Sequence, residues 1–392
     1  MTGWLDWANL IVRWAHFGFG IAWIGSSFYF IWLDAALTRP APPRHGVEGE
    51  LWMVHSGGFY QVEKRLPGPG ELPPMLHWFK WEATFTWITG IVLLAVVYYL
   101  TGGVYLVDPA VAAITPARAT LLSVAVLVVS WLVYDALWQS PLGRIGWPAT
   151  LISFGLLATL VYGLCHVLSG RAAFIHVGAV MGTLMVANVW RRILPAQQAM
   201  IDATRDGRQP DFALGQAAKR RSVHNSYMTF PVLFIMLSNH FPATYGNPRN
   251  WLVLALLIVA GAAARHVMIG KTTAKYWALV PVLGCFAGVM ALGGTSARPH
   301  VGTTPAASFA EARAVVNRRC LPCHSRWPTD DVFTVAPNGV RFDEPAAIVQ
   351  LAARIRERAV VQQTMPIANK TGITAAERDV LRRWIDGGAR LD

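Results

Sequence analysis

Long apolar runs fill the first three quarters of the chain, and short polar stretches separate them. A helix needs roughly 20 apolar residues to cross a bilayer core of about 30 Å. The pattern predicts eight such helices, of which the sixth is the shortest: 8–33, 82–101, 118–138, 148–168, 172–194, 225–242, 251–270 and 277–294. Residues 293–307 are then rich in Gly, Thr and Pro, as in a linker. We therefore predict an all-α chain, with an eight-helix transmembrane bundle at 1–292 and a small helical domain at 308–392.

Lys and Arg predict the orientation of these helices, because they accumulate in short loops on the cytoplasmic side of a membrane. They concentrate in the loops after the first, third, fifth and seventh runs, whereas the opposite loops carry only Arg118, Arg171 and Arg249. The N-terminus is therefore expected outside the cytoplasm, and eight crossings return the C-terminal domain to the same side. The opening stretch MTGWLDWANL has no basic region and no small-residue cleavage site, so the first helix is expected to stay attached.

Composition supports a membrane protein, since 54% of the 392 residues are hydrophobic and only 14% are charged. Lys and Arg number 34 against 22 Asp and Glu. Many of the basic residues lie in short loops, where they mark topology. Membrane lipid is therefore an expected partner and nucleic acid is not. Cys165 and Cys285 stand alone in apolar runs, where a thiol acts as a small hydrophobe.

Near the C-terminus, Cys320, Cys323 and His324 form a Cys-x-x-Cys-His motif, which attaches a c-type haem. The two thiols would form thioethers, and the histidine would bind the iron on one side. Met365, which is followed by a proline, is the expected sixth ligand. A zinc or redox motif is the alternative, and the later methionine and the flanking helices disfavour it.

Residues 308–392 are therefore predicted to be a class I cytochrome c domain. Phe309 and Trp384 are expected to pack its first and last helices together. Haem is ordinarily attached to this motif in the bacterial periplasm, which agrees with the orientation that the basic loops predict. We expect a multi-pass protein of the bacterial inner membrane, with its N-terminus and its cytochrome domain in the periplasm.

Histidines in or beside the apolar runs form two layers. The outer layer contains His16, His166, His176 and His240, and the inner layer contains His77, His224 and His266. At about 1.5 Å rise per residue, His16 and His176 each lie roughly 6–12 Å into the outer half of the membrane, where they can face each other across a haem b. One or two b-type haems are expected, with His16, His176 and His240 as ligands. An interfacial position without a ligand role is the alternative for His166, His240 and His77.

Three segments on the predicted cytoplasmic side, 51–65, 76–90 and 220–240, interleave aromatic residues with basic, amide or carboxylate ones. That composition suits a planar, anionic substrate with hydrogen-bonding edges. Glu82 is expected to act as a base, although a carboxylate at a helix start is also favoured by the helix dipole. The expected catalytic residues are His77, Glu82 and His224, and the expected substrate-binding residues are Arg220, Arg221 and Asn225. A substrate site beside the outer histidines is the alternative.

These segments resemble the bacterial membrane-bound urate oxidases, in which an eight-span domain is fused to a C-terminal cytochrome c. The resemblance rests on RWAHFGFGIAWIGSSFYF, MVHSGGFYQVEKR, LHWFKWEATFTWITG, HNSYMTFPVLFIMLSNH and the haem-binding tail. It implies that urate and water give 5-hydroxyisourate, without hydrogen peroxide. It also implies that a soluble cytochrome c or a terminal oxidase accepts the electrons. The first span is similar to that of copper-resistance-type and related haem-binding membrane proteins, which favours His16 as a ligand.

Two other functions are compatible with the same motifs. A quinol:cytochrome c oxidoreductase would also need membrane haem and a c-type haem on the outer side. A transporter or redox sensor would use the cytochrome only to report the periplasmic potential, so no small substrate would reduce its haem directly.

Overall fold

The computed structural model describes residues 3–68, 71–269, 273–294 and 305–391. The helices of the first part are α1 (Gly3–Ala36), α2 (Trp81–Leu94), α3 (Pro116–Gln139), α4 (Pro141–Ile145), α5 (Trp147–Cys165), α6 (Gly170–Asn188), α7 (Leu194–Arg205), α8 (Phe212–Ser238), α9 (Pro242–Tyr245), α10 (Asn250–Ile269) and α11 (Leu279–Gly294). Two π-helical segments, Ala95–Tyr99 and Val189–Ile193, continue α2 and α6. The predicted linker, 293–307, falls largely outside the described residues.

Seven helical segments within the described residues are long and apolar enough to cross a membrane. They are Trp4–Ala36, Trp81–Tyr99, Pro116–Gln139, Trp147–Cys165, Gly170–Arg205, Asn250–Ile269 and Thr273–Gly293. Many of their large apolar side chains face outward; Trp14 is 78% exposed and Leu121 is 71% exposed. Lipid solvates such a surface, whereas water would not. These features are those of a membrane protein.

The predicted sixth crossing, 225–242, overlaps the second half of α8, which is not among the seven segments. Polar and charged residues such as Arg220 and Arg221 make its first half too hydrophilic. The two ends of α8 nevertheless contact different loops. Arg220 donates to the carbonyl of Gly143, after α3, at 2.8 Å, whereas α9 beyond the other end packs against the start of α6. A bundle of eight crossings therefore stays a prediction.

An antiparallel hairpin lies between α1 and α2, where the sequence predicted no strands. β1 (Val47–His55) pairs with β2 (Gly58–Arg65) through a turn in which Ser56 and Gly57 have φ values of 49° and 76°. Positive φ at both central positions is typical of the tight turns that match the twist of paired strands. The strictly all-α prediction is therefore wrong for this segment, because a turn of this kind lets two short strands pair locally.

The core of the membrane domain surrounds α6, whose side chains are mostly buried. This helix contacts α2, α3, α5 and α8. Gly178 permits the close approach of α8, since a Cβ at that position would lie 2.6 Å from the Cγ2 atom of Ile235. Small residues have this role in membrane bundles, where helices associate through close packing. The histidines and polar residues of α6 and α8 are thereby held in fixed positions.

The C-terminal part contains α12 (Phe309–Arg319), α13 (Pro345–Gln350), α14 (Ala352–Ile355) and α15 (Ala375–Asp386). Capping boxes begin α12 and α15, because a Ser or Thr side chain and a Glu three residues later exchange hydrogen bonds with the backbone. The rings of Phe309 and Trp384 lie 5.7 Å apart, which confirms that they pack the two terminal helices together. Leu381, Ile348 and Val316 are fully buried around this contact.

Candidate active site

Cys320, Cys323 and His324 directly follow α12, and both cysteines are free thiols. The ring of His324 donates its Nδ1 hydrogen to the carbonyl of Val340 at 3.0 Å, and Nε2 has no hydrogen-bond partner among the residues that the structure describes. Metal-binding histidines are commonly oriented in this way. Burial lowers the pKa of His324, which favours the neutral, metal-binding ring, and burial raises the pKa of Cys320 to about 12. These residues fit a covalent c-type haem, which stays a prediction.

The backbone of Met365 is fixed from two directions. Its amide donates to the carbonyl of Arg358 at 3.1 Å, and its carbonyl accepts from the guanidinium of Arg378 at 2.9 Å. Arg378 is 9% exposed and also binds the carbonyl of Ala359. A buried cation therefore holds the loop that carries the predicted sixth ligand. Among the described residues, no group of three or more His, Cys, Asp or Glu side chains is arranged to hold a metal ion.

The C-terminal domain contacts the membrane domain beside its haem-binding segments. Tyr105, in the loop between α2 and α3, lies edge-on to Phe333, with ring centroids 6.2 Å apart. A Cβ at Gly246 would lie 2.7 Å from the Cγ2 atom of Thr364, so the residue before Met365 packs against the loop after α9. Burial raises the pKa of Tyr105, and the nearby thiol of Cys323 acts in the same direction. One face of the membrane domain thus meets both predicted haem-binding segments.

A row of aromatic rings leads from the interior of the membrane domain to this contact. The rings of His176 and Tyr98 lie 5.6 Å apart, and those of Tyr98 and Tyr105 lie 6.4 Å apart. The contact between Tyr105 and Phe333 continues the row, and all three pairs are edge-to-face. Arg171 stacks 4.8 Å above the ring of Tyr105 and fixes it. The row connects the core of α6 with the C-terminal domain without a gap between rings.

His16 lies against α2 and has one free ring nitrogen. Its Nδ1 hydrogen is donated to the carbonyl of Thr86 at 2.9 Å, and the hydroxyl of Thr89 lies 3.0 Å away. Gly90 provides space, because a Cβ there would lie 3.1 Å from the imidazole. A Cβ at Gly20, one turn further along the same face of α1, would meet no atom within 4 Å, so the surface next to His16 is open to a flat group. These features support the expectation that His16 is a haem ligand.

The structure does not bring His16 and His176 into contact. His176 is 1% exposed, and its Nδ1 hydrogen is donated to the carbonyl of Ala172 at 2.7 Å. Its Nε2 accepts from the hydroxyl of Tyr99 at 3.0 Å, so iron binding would require the loss of this bond. His240 is exposed after α8. Haem b between His16 and His176, and a ligand role for His240, stay predictions.

A buried polar network joins α3, α6 and α8 around Asp135, which is 8% exposed. Its carboxylate accepts from Arg221 at 2.9 Å, from Arg192 at 2.8 Å and from Gln139 at 2.7 Å. Two guanidinium groups share one carboxylate, so these three charged groups carry an excess of one positive charge. The sequence analysis assigned no role to Asp135, although an aspartate within an apolar run is a signal of function or of ion pairing.

Two further predicted residues belong to this network. Nδ1 of His224 lies 2.8 Å from the hydroxyl of Tyr134, and the amide of Asn188 donates to that hydroxyl at 3.1 Å. The same amide donates to the side-chain carbonyl of Asn225 at 2.9 Å. The structure therefore brings together Arg221, His224 and Asn225, as the sequence predicted for one site.

The other three predicted residues make no hydrogen bond to this network. Arg220 is bound to the Gly143 carbonyl, and His77 is exposed with its ring 4.7 Å from that of Phe79. Glu82 lies at the start of α2, and its Oε2 atom is buried without a hydrogen-bond partner in the described part of the chain. A buried carboxylate oxygen without a partner is costly, so this atom marks a place for a donor.

Comparison with known families gives a match over most of the chain. The family model described as "Urate oxidase N-terminal" matches residues 2–293, which include the membrane helices and the polar network around Asp135 but not the Cys-x-x-Cys-His segment. No curated protein and no solved structure matches the chain. The chain belongs to the urate oxidase N-terminal family.

Proposed function

We propose that this protein oxidises urate to 5-hydroxyisourate in the bacterial inner membrane and passes the electrons to its own C-terminal domain. Family membership makes it a urate oxidase-related oxidoreductase. In the proposed reaction, urate and water give 5-hydroxyisourate, two protons and two electrons. No oxygen is consumed, so no hydrogen peroxide is formed. This proposal rests on the presence of the family domain and a Cys-x-x-Cys-His motif in the same chain.

A c-type haem held by Cys320, Cys323, His324 and Met365 would accept one electron at a time. The chain supports delivery of electrons from the membrane domain, because Tyr105 contacts Phe333 beside the haem-binding segment. Three edge-to-face ring pairs, with centroids 5.6 to 6.4 Å apart, provide a short through-protein path. A second haem at His16, with one nitrogen fixed and one free, would store the other electron of the pair.

The periplasmic position of the C-terminal domain is part of the proposal. This domain lies against the loops after α2 and α9. The Lys and Arg-rich loops lie at the other ends of these helices, which predicts that they are cytoplasmic. A soluble cytochrome c or a terminal oxidase would then take electrons from the outer side.

Quinol oxidation is the second candidate, because one groove in the membrane domain suits an apolar ring. The groove has a volume of about 340 Å³ and is lined by Trp87, Ile91, Tyr99 and Trp131 among others. Its position between α2, α3 and α6 fits a lipid-soluble substrate. None of the side chains that line this groove is charged, so the groove offers an anion no counter-charge.

Anaerobic reduction of the purified protein separates the candidates. Urate is added to the oxidised protein, and c-haem absorbance is followed; a quinol is added to a second sample. The proposal predicts reduction by urate and little reduction by the quinol. Reduction by the quinol alone would favour the second candidate. If neither reduces a haem that dithionite can reduce, the transporter or sensor alternative stands.

A further inference from the structure

Arg265, near the end of α10, is a buried cation without a counter-ion. Only 2% of its surface is exposed, and its Nε donates to the hydroxyl of Ser226 at 2.9 Å. One terminal nitrogen is buried without any hydrogen-bond partner, and no carboxylate in the described part of the chain pairs with Arg265. In the sequence, Arg265 stands at the predicted cytoplasmic end of the seventh apolar run, among the basic residues that indicate topology.

Arg221 is also buried, but unlike Arg265 it has a carboxylate partner. Arg221 is 6% exposed and is paired with Asp135 at 2.9 Å. Burial of a guanidinium without such a partner is strongly unfavourable, particularly in a membrane domain. Arginine cannot avoid this cost by losing its proton. A bound anion would offset this cost and would give the unpaired donor an acceptor.

The surroundings of Arg265 favour a flat anion. Its guanidinium carbon lies 4.0 Å from the ring centroid of Phe28, and that ring lies 5.8 Å from the ring of Phe230. Tyr227 follows Ser226, and its hydroxyl lies 2.6 Å from Nδ1 of His266. An aromatic face thus covers the guanidinium, and further aromatic and hydrogen-bonding side chains occupy the neighbouring positions of α8 and α10. Simple inorganic anions need no aromatic walls, whereas a purine anion uses both.

Glu82, on α2, is a second buried group without a hydrogen-bond partner in the described part of the chain, and α2 packs along α1, which carries Phe28. The rings of Phe19 and Phe85 lie 5.1 Å apart, and those of Phe30 and Phe79 lie 4.9 Å apart. Along the chain, Glu82 lies between Phe79 and Phe85, and Phe28, which covers Arg265, lies between Phe19 and Phe30 on α1. Because α1 packs along α2 through both ring contacts, Glu82 and Phe28 lie on the same stretch of this helix pair. Glu82 lacks a donor and Arg265 lacks an acceptor, so one ligand with both functions would satisfy the two residues.

We propose that Arg265 binds the urate anion in a site enclosed by α1, α2, α8 and α10, where Phe28 covers the guanidinium and Glu82 accepts a ring N–H. The inference rests on the proposed function and names the residue that holds the charge of its substrate. It replaces the expected roles of Arg220 and Arg221, because the charge of Arg221 is paired with Asp135 and Arg220 is bound to a backbone carbonyl outside the network. Glu82 is then positioned to take a proton from the bound purine.

The test compares Arg265→Gln and Arg265→Lys with the control Arg208→Gln in the full-length holoprotein. Arg208 is exposed, and its guanidinium pairs with Asp206 near the surface. Urate-driven reduction of the c haem gives KM and kcat, and thermal unfolding is measured with and without urate. Arg265→Gln should raise the KM for urate roughly 10- to 100-fold, because a hydrogen bond to a charged group is lost. Arg265→Lys should be affected less, and the control should match the wild type.

Stability distinguishes binding from a structural role. Removal of an unpaired buried charge should leave the urate-free protein as stable as the wild type or more stable. Urate should stabilise the wild type but not Arg265→Gln. An unchanged KM, or a large loss of stability without urate, would overturn the inference. If urate does not reduce the c haem of the wild type, the proposed function is overturned instead. The effect of urate on thermal unfolding would still show whether Arg265 binds urate.

Discussion

Asp135→Asn should destabilise the membrane domain by about 3–5 kcal/mol, because it leaves a buried guanidinium without its counter-ion. The side chain of Arg221 is 7% exposed, and its ion pair with Asp135 is 2.9 Å long. Arg192 binds the same carboxylate but is 36% exposed, so its loss should add less than about 1 kcal/mol. Asparagine retains one acceptor, which places the expected loss toward the lower end of the range. Reversible unfolding in mixed detergent micelles, followed by tryptophan fluorescence, measures the change.

Asp206→Asn is the matched control, because Asp206 and Arg208 form an ion pair in which both side chains are at least 60% exposed. Its free energy of unfolding should change by less than about 1 kcal/mol. The double variant Asp135→Asn with Arg221→Gln should recover part of the loss, since it removes the unpaired charge as well. A change below about 1 kcal/mol in Asp135→Asn, or no recovery in the double variant, would refute the argument that the buried pair stabilises the bundle.

Four other changes test separate parts of the account. Phe333→Leu should slow urate-driven reduction of the c haem while dithionite reduction stays unchanged, because the variant breaks the ring contact with Tyr105; equal urate-driven rates would contradict the path. Met365→Ala should lower the midpoint potential of the c haem in a redox titration, since methionine ligation raises it. His16→Ala should remove any b-haem signal from the pyridine haemochrome spectrum and spare the covalent haem; an unchanged ratio of the two would show that His16 is only a packing residue. Glu377→Gln should destabilise the C-terminal domain at neutral pH. Burial alone would raise the pKa of Glu377, but hydrogen bonds from the backbone and from an arginine hold this pKa below its usual value. The stabilisation by the ionised Glu377 carboxylate is present above the unfolded pKa and is lost as the pH falls through the folded pKa. The difference in unfolding free energy between Glu377→Gln and the wild type should therefore disappear in acid.

The sequence predicted the features that depend on local pattern. The apolar runs predicted the positions of most helices. The Cys-x-x-Cys-His motif predicted that Cys320, Cys323 and His324 lie close together, and the structure has two free thiols beside a histidine whose Nδ1 is fixed by the backbone. The hairpin at 47–65 was missed because its signal is a turn and two short strands within a helical chain. Along α8, a polar first half followed by an apolar second half gave a shorter run than the helix that forms.

Contacts between distant segments could not be read from the pattern. Asp135 and Arg221 are 86 positions apart, and their pairing is seen only in the fold, where α6 packs against both α3 and α8. His176 was expected to bind haem, but the π-helical turn after α2 places the hydroxyl of Tyr99 against its Nε2 atom. Arg265 looked like a topology signal, because a sequence does not show which arginine at a helix end turns inward. Only the folded structure shows that the guanidinium of Arg265 stays unpaired among the described residues.

Stoichiometry under anaerobic conditions tests the central claim most directly. A known amount of urate is mixed with excess oxidised protein, and reduced c haem and remaining urate are measured in the same sample. The account predicts two electrons delivered to protein haem for each urate consumed, with 5-hydroxyisourate as the product and no hydrogen peroxide. Urate consumption that requires oxygen and yields hydrogen peroxide, while the c haem stays oxidised, would contradict it.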